Sequence, residues 1–267
     1  MRGFPHHLRI AVLYLGQMLK TRLHYRGDFF LGCIASLLTQ ASGLAVVAII
    51  FENVPALVGW SRSETFFIYG FAVTAQAIFE AIADGFYWFS DRYVNRGEMD
   101  RILLRPLNPL FQIILENFNL EFLPDLALGL MILANAQGFL EKSFGPLGGV
   151  VVLAAMLLGA VLVLTGLFLA LTSVSFWAED RVGVLPPIYN LMAFGRYPLP
   201  IYHRAIRILL SWVLPFGFVA FYPSTGFLGR DEFRYFFWGT PVAGVLSLFL
   251  GYCVWLAGVR RYQSTGS

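Results

Sequence analysis

The chain has 267 residues, of which 58% are hydrophobic, 16% aromatic and only 13% charged, with a net charge of +3 and a mean hydropathy of +0.67. A soluble domain carries about a quarter charged residues, so this balance excludes an ordinary soluble globule and points to a polytopic membrane protein. The arginines cluster between apolar runs, with no basic stripe interleaved with aromatics, which excludes a nucleic-acid binder.

From the N-terminus, Leu8, Val12, Leu15, Leu19 and Leu23 share one helical face, while Arg9, Gln17, Lys20 and His24 lie mostly off it. The pattern predicts an amphipathic helix over 6–26 lying along the membrane surface, or a soluble helix packed on a partner. These residues are too polar for a signal peptide, so the apolar run that follows is expected to be retained. That run, 29–51, carries no charge. At about 1.5 Å per residue it reaches roughly 34 Å, enough for a hydrocarbon core of about 30 Å.

Runs 150–176 and 236–259 are equally free of charge, and the second stops at Arg260 and Arg261. Two less pure spans are 65–89, holding Gln76, Glu80 and Asp84, and 110–136, holding Glu116, Glu121 and Asp125. Lysine and arginine prefer the cytoplasmic side. Arg2, Arg9, Lys20, Arg22 and Arg26 precede the first span, and Arg92, Arg96, Arg101 and Arg105 follow the second. The first and third connections hold only Arg62 and Lys142.

Both termini then face the cytoplasm, which requires six spans and hence one more crossing. Two placements remain open. Either 182–196 crosses and 197–223 dips back from outside as a re-entrant pair, or 206–222 crosses. Arg196, Arg204 and Arg207 favour the second placement by charge. Pro186, Pro187, Pro198, Pro200, Pro215 and Pro223 favour the first, because they cut the region into pieces too short for one regular helix. The expected fold is thus an all-α polytopic membrane protein forming one domain over 1–267: an N-terminal interfacial amphipathic helix, six transmembrane helices and re-entrant helices before the last span.

Gln76, Glu80 and Asp84 recur every fourth residue, as do Asn117, Glu121 and Asp125, so each set is expected to share a helix face. An acid at mid-bilayer costs roughly 2.5 to 3.5 kcal/mol on insertion scales, so these faces should point at protein or water. They are read either as a cation or proton pathway or as interhelical polar contacts satisfied by water or by an arginine such as Arg92. Ala77, Ala81 and Gly85 beside them form a small-residue seam that admits a close neighbour.

Enzyme motifs are missing from the sequence. There is no GxxxxGK[ST], HExxH or GxSxG, and His6, His7, His24 and His203 have no metal-ligand spacing. No catalytic, cofactor or metal residue is therefore expected. Cys33 and Cys253 lie in apolar runs and read as small hydrophobes.

Between the second and third spans, 91–109 forms a compact charged loop. Glu98 and Asp100 near the start and Arg105 near the end of a short helix suit its dipole, Pro106 stops it, and Asn108-Pro109 turns into the next span. This loop, ending in LLRPLNPLF, resembles the version found in a bacterial subfamily of type-2 ABC exporter permeases in which two permease chains pair. FGRYPLPIY at 194–202 and VLPFGFVAFYPS at 213–224 resemble the same subfamily.

The resemblance implies a membrane-spanning permease in the bacterial inner membrane, driven by separate cytoplasmic ABC ATPase subunits that bind the ATP and paired with a second permease chain, homologous or identical. It makes the loop a coupling helix that must be rigid to pass on motion. Glu98, Asp100, Arg101 and Arg105 would make polar contacts with the ATPase, Ile102 and Leu103 would form the apolar knob, and Gly97 and Pro106 would bound the element. It also implies the re-entrant placement of 197–223. A stand-alone ion-coupled transporter using the acidic faces is the competing class, though the sequence has no inverted repeat. A membrane-embedded enzyme would need an acid pair or nucleophile that the sequence does not offer.

Overall fold

The computed structural model describes Tyr14, Gly16, residues 26–178 and residues 185–264. The surface helix expected at 6–26 therefore lies outside the described residues except for Tyr14, Gly16 and Arg26. The secondary structure of the described residues is helical, with one isolated bridge between Leu57 and Trp60 and no strand.

Helices α1 (Arg26–Asn53) and α2 (Arg62–Tyr87) correspond to the first two expected spans. Helix α2 continues through a π-helical turn, Ser90–Asn95, so that the candidate span runs Arg62–Asn95. A short α3 (Glu98–Leu103) follows, then α4 (Pro109–Glu116), α5 (Leu123–Asn135) and α6 (Gln137–Phe144). Helix α7 (Pro146–Ser173) crosses back. After α8 (Leu185–Met192), α9 (Arg204–Ile208) and α10 (Phe221–Thr225), the chain closes with α11 (Arg234–Arg261). By length and composition, four helices can cross a membrane, or up to six if two bent pairs, α5 with α6 and Arg204–Val213 with Phe216–Thr225, each count as one.

Helix α2 is the axis of the bundle. Phe67, Phe71, Phe79 and Phe86 on it are fully buried, whereas α1 leaves Phe30, Leu31, Ile34 and Leu38 exposed. Exposed aliphatic side chains are ordinary on a lipid-facing helix, because hydrocarbon solvates them as well as protein does. Ser61 caps α2 with its hydroxyl on the Glu64 amide, and Glu64 Oε2 returns to the Ser61 amide at 2.8 Å, a capping box. Glu64 also takes Arg230 at 2.8 Å, and Arg230 lies 4.4 Å over the Trp60 ring, which ties the start of α2 to the approach of α11.

Helices α7 and α11 lie backbone to backbone. A Cβ built on Gly166 would overlap the Ser247 carbonyl and the Leu248 amide nitrogen, and one on Gly251 would overlap the Gly166 oxygen; Gly159 and Gly244 face each other in the same way. Four glycines at a seven-residue interval, two per helix, permit this approach.

Two expectations about the spans need correction. The third is not one helix over 110–136. It is α4, then a non-helical stretch 117–122, then α5, with a 58° bend into α6. The stretch is tolerated at membrane depth because α2 supplies partners: the Asn119 amide donates to the Ala81 carbonyl at 3.1 Å. Pro124 in the first turn of α5 costs nothing there, since that turn's amides have no helical acceptor. At Ala81 and Gly85 the seam thus receives this unwound strap rather than a regular helix, and a Cβ on Gly85 would sit 2.6 Å from Asn117.

Within 182–196, residues 182–184 lie outside the described residues, and the remainder is the eight-residue α8 followed by a 3-10 turn, Ala193–Arg196. Eight residues rise only about 12 Å. This stretch nevertheless climbs α2: Tyr189 packs on Tyr87 at 5.1 Å, Arg196 reaches Gln76, and Gly195 lies against Phe216. The bent pair Arg204–Val213 and Phe216–Thr225 turns by 75°, with Phe221 on Trp60 at 5.2 Å and Phe218 on Phe236 at 6.2 Å.

Candidate functional site

The short helix after α2 is built by backbone and side chain together. Gly97 adopts φ +72°, the left-handed region that glycine enters without a Cβ clash, and so turns the chain from the π-helical segment into α3. Met99 and Ile102, three apart on one face, are completely buried in the main core. Gln112 Nε2 donates to the Ile102 and Leu107 carbonyls at 3.2 and 3.1 Å, holding the end of α3 and the turn around Pro106. Asn108 caps α4 by accepting from the Phe111 amide at 3.2 Å and donates to Tyr252 on α11 at 3.3 Å.

The charges form one connected set. Arg92 pairs with Glu98 at 2.9 Å and donates to Asn117 Oδ1 at 2.9 Å; Arg101 reaches Glu98 at 3.4 Å and Glu116 at 3.5 Å; Arg105 holds Glu116 at 2.7 Å. Each partly exposed pair is worth about 1 kcal/mol or less, so rigidity comes from their sharing of Glu98 and Glu116 rather than from any one bond. Both described ends of the chain also arrive here. Arg105 donates to the Tyr14 hydroxyl at 2.7 Å, and the Ser264 hydroxyl donates to Asp100 at 2.6 Å.

Ile102 is therefore not an outward knob, because its side chain fills the core under α3. Leu103, 41% exposed, and especially Leu104, 86% exposed, stand outward, beside Arg101 with just over half its side chain in solvent. Glu98 and Arg105 are occupied in holding the element, and Pro106 is exposed at its end.

The six polar residues expected on two helix faces divide into three settings. Glu80, Asp84, Glu121 and Asp125 line one cavity of about 290 Å3, which Gly32, Ser36, Trp88 and Tyr189 also border. Asp125 is buried and accepts from Ser36 and, at 3.1 Å, from Gln40 Nε2. Asn117 belongs to the loop network through Arg92 and Tyr93 Oη, the latter at 2.7 Å. Asn117, Glu121 and Asp125 do not share a helix face, because the first two lie in the unwound stretch.

Gln76 sits deeper with Arg196, whose Nε donates to Gln76 Oε1 at 2.9 Å and whose Nη1 donates to Gln40 Oε1 at 3.0 Å, 5.9 Å from the Tyr69 ring. Gln40 thereby links the Arg196 guanidinium to the Asp125 carboxylate, a charge pair bridged by an amide. Sequence reasoning missed Arg196 as an interior group and missed Ser36 and Gln40, though polar residues four apart in an otherwise apolar first span are a readable sign. Arg196→Met should leave the Gln76 amide oxygen without a donor, at about 1–3 kcal/mol, and the Gln40 oxygen with only the Tyr69 hydroxyl at 3.4 Å. The expected result is a clearly lowered thermal unfolding midpoint in detergent; an unchanged midpoint would show the network to be dispensable.

Among the described residues no group of three or more His, Cys, Asp or Glu side chains is arranged to hold a metal ion. A family model described as ABC-2 family transporter protein matches residues 37–266. No curated protein and no solved structure matches the chain.

Proposed function

Because the chain belongs to the ABC-2 family of transporter proteins, whose members are membrane components of transport systems rather than enzymes, we propose that it is the permease subunit of an ABC exporter. It forms the translocation path with a second permease chain, and separate cytoplasmic ATPase subunits bind and hydrolyse the ATP. The single observation that carries this reading is α3, a short helix fastened on its inner side by Met99, Ile102 and shared ion pairs while Leu103, Leu104 and the half-exposed Arg101, itself paired with Glu98 and Glu116, face outward.

In this reading the element bounded by Gly97 and Pro106 is the ATPase dock. Arg101, Leu103 and Leu104 make contact, whereas Glu98, Asp100, Arg105 and the buried Ile102 position it. The loop then lies in the cytoplasm, and so do both termini, since Tyr14 and Ser264 bond to it. Residues 197–223 are re-entrant from the outer side of the bacterial inner membrane. The support is that α8 and Arg196 climb along α2, while Phe221 packs beside Trp60 near the far end of the same helix. The exposed face of α1 is left for lipid or for the second permease. Purification of the tagged chain from its native membranes should bring down a stoichiometric ATPase; a chain that transports when purified alone would overturn the assignment.

The cavity shared by Glu80, Asp84, Glu121 and Asp125 favours a second reading, coupling to protons or cations. The two readings part at Glu80→Gln. An ATP-driven permease keeps the same transport profile across pH, whereas a proton-coupled one loses its pH dependence.

A further inference from the structure

The arginines at 204 and 207 remain without a role in the reading above. They belong to the arm Arg204–Val213, and no residue of α9 is buried. Neither has an ion pair among the described residues, and three residues apart on a helix they flank one another. Both line a cavity of about 260 Å3 whose other walls include Leu199, Ile208, Phe221 and Phe233. Trp212, 68% exposed, and Val213, 64% exposed, continue the same arm. A short helix with basic residues beside an exposed tryptophan and aliphatic side chains suits the headgroup level of a bilayer.

Their position sharpens the point. The pocket adjoins Phe233, just before α11 begins, and Phe233 packs on Phe221, which packs on Trp60. This is the opposite end of the bundle from the loop that gathers Arg92, Arg96, Arg101 and Arg105. Two guanidinium groups with no ion pair among the described residues run against the usual distribution of positive charge on that side, and an anion from the surrounding bilayer would compensate them. A phosphodiester fits the fork of a guanidinium, and the apolar walls next to it fit an acyl chain.

We propose that Arg204 and Arg207 hold the headgroup phosphate of an anionic phospholipid whose chain enters the groove between Leu199 and Phe233. The transport reading enters only in assigning this site to the outer leaflet. The permease is reconstituted without any ATPase into nanodiscs of phosphatidylcholine with a minor share of phosphatidylglycerol, and the lipids that stay bound are counted by native mass spectrometry. Wild type should retain phosphatidylglycerol over phosphatidylcholine by roughly tenfold, Arg204→Gln with Arg207→Gln should lose the preference, and Arg204→Lys with Arg207→Lys should keep only part of it, because an ammonium supplies the charge without the fork. Equal retention by wild type and the glutamine variant overturns the proposal, and so does undiminished preference in the lysine variant, which would make bulk charge rather than the guanidinium fork the binding determinant. Because no ATPase takes part, the lipid site can fail while export stands, and the reverse.

Discussion

Changing Leu104 to Glu together with Arg101 to Glu is expected to abolish recovery of the ATPase and, with it, transport, while the permease itself remains monodisperse. Leu104 is 86% exposed and supports the fold by no more than the few tenths of a kcal/mol typical of a surface position, whereas Arg101, just over half exposed, shares Glu98 and Glu116, so its reversal adds about 1 kcal/mol of local loosening that Arg101→Ala alone would report. Docking is another matter. Losing a leucine from a buried contact removes about 1.5–3 kcal/mol, and a carboxylate forced into its place adds an unpaired charge. Together these exceed the roughly 2.8 kcal/mol that separates a hundredfold change in affinity. Arg105→Ala is the informative contrast. It breaks the pair with Glu116 and the bond donated to Tyr14, so it should loosen the element and weaken coupling more than association. Full ATPase recovery with the Leu104 and Arg101 double variant would remove α3 from consideration as the dock.

The second large effect is expected at Gly166. A leucine there must displace the backbone of α11 at Ser247 and Leu248, not a side chain that can swing aside, and across the contact even a Cβ on Gly251 would overlap the Gly166 oxygen. Overpacking a core costs about 1–3 kcal/mol when side chains can adjust, and here they cannot, so Gly166→Leu should give no folded permease in the membrane fraction. Gly166→Ala should fold with a lowered unfolding midpoint. Gly239 has open space where its Cβ would be, and Gly239→Ala serves as the matched control with an unchanged midpoint. A Gly166→Leu protein that melts like wild type would mean that α7 and α11 do not need their close approach.

The long helices α1, α2, α7 and α11 were legible in the sequence because hydrocarbon demands unbroken apolar runs and leaves little else to encode. Where polar residues entered a span, the sequence was ambiguous in a particular way. Asn117, Glu121 and Asp125 fit a four-residue spacing, yet the chain unwinds at 117–122, since a backbone carbonyl on α2 and the side chain of Arg92 offer the partners that a helix would otherwise provide. Local spacing cannot reveal an acceptor that tertiary packing supplies.

The loop shows the same division. Gly97, Asn108 and the prolines announced a short capped helix, and the connection is where the sequence placed it. Which side faced inward was not legible, because the i and i+3 pair that turned out to be buried is Met99 with Ile102, and Leu103 and Leu104 are no less apolar. Arg196 looked like a loop cation when counted by charge. Its real partners, Gln40 and Gln76, lie in the first two spans and so at a great distance along the chain. Prolines correctly marked the region before α11 as broken, but only the contacts with Tyr87, Gln76 and Trp60 give its course through the bundle.

The span Arg62–Asn95 contains 34 residues and is therefore roughly 50 Å long. One end is clamped by Glu64 to Arg230 ahead of the last helix, and the other is fastened through Arg92 to the exposed element. Near its loop end it rests on Asn117 at Gly85, where the neighbouring chain is unwound and side chain meets bare backbone. In the permease reading, whatever displacement is applied at Leu104 has one continuous helix along which to reach the Glu64–Arg230 clamp at the other end of the bundle.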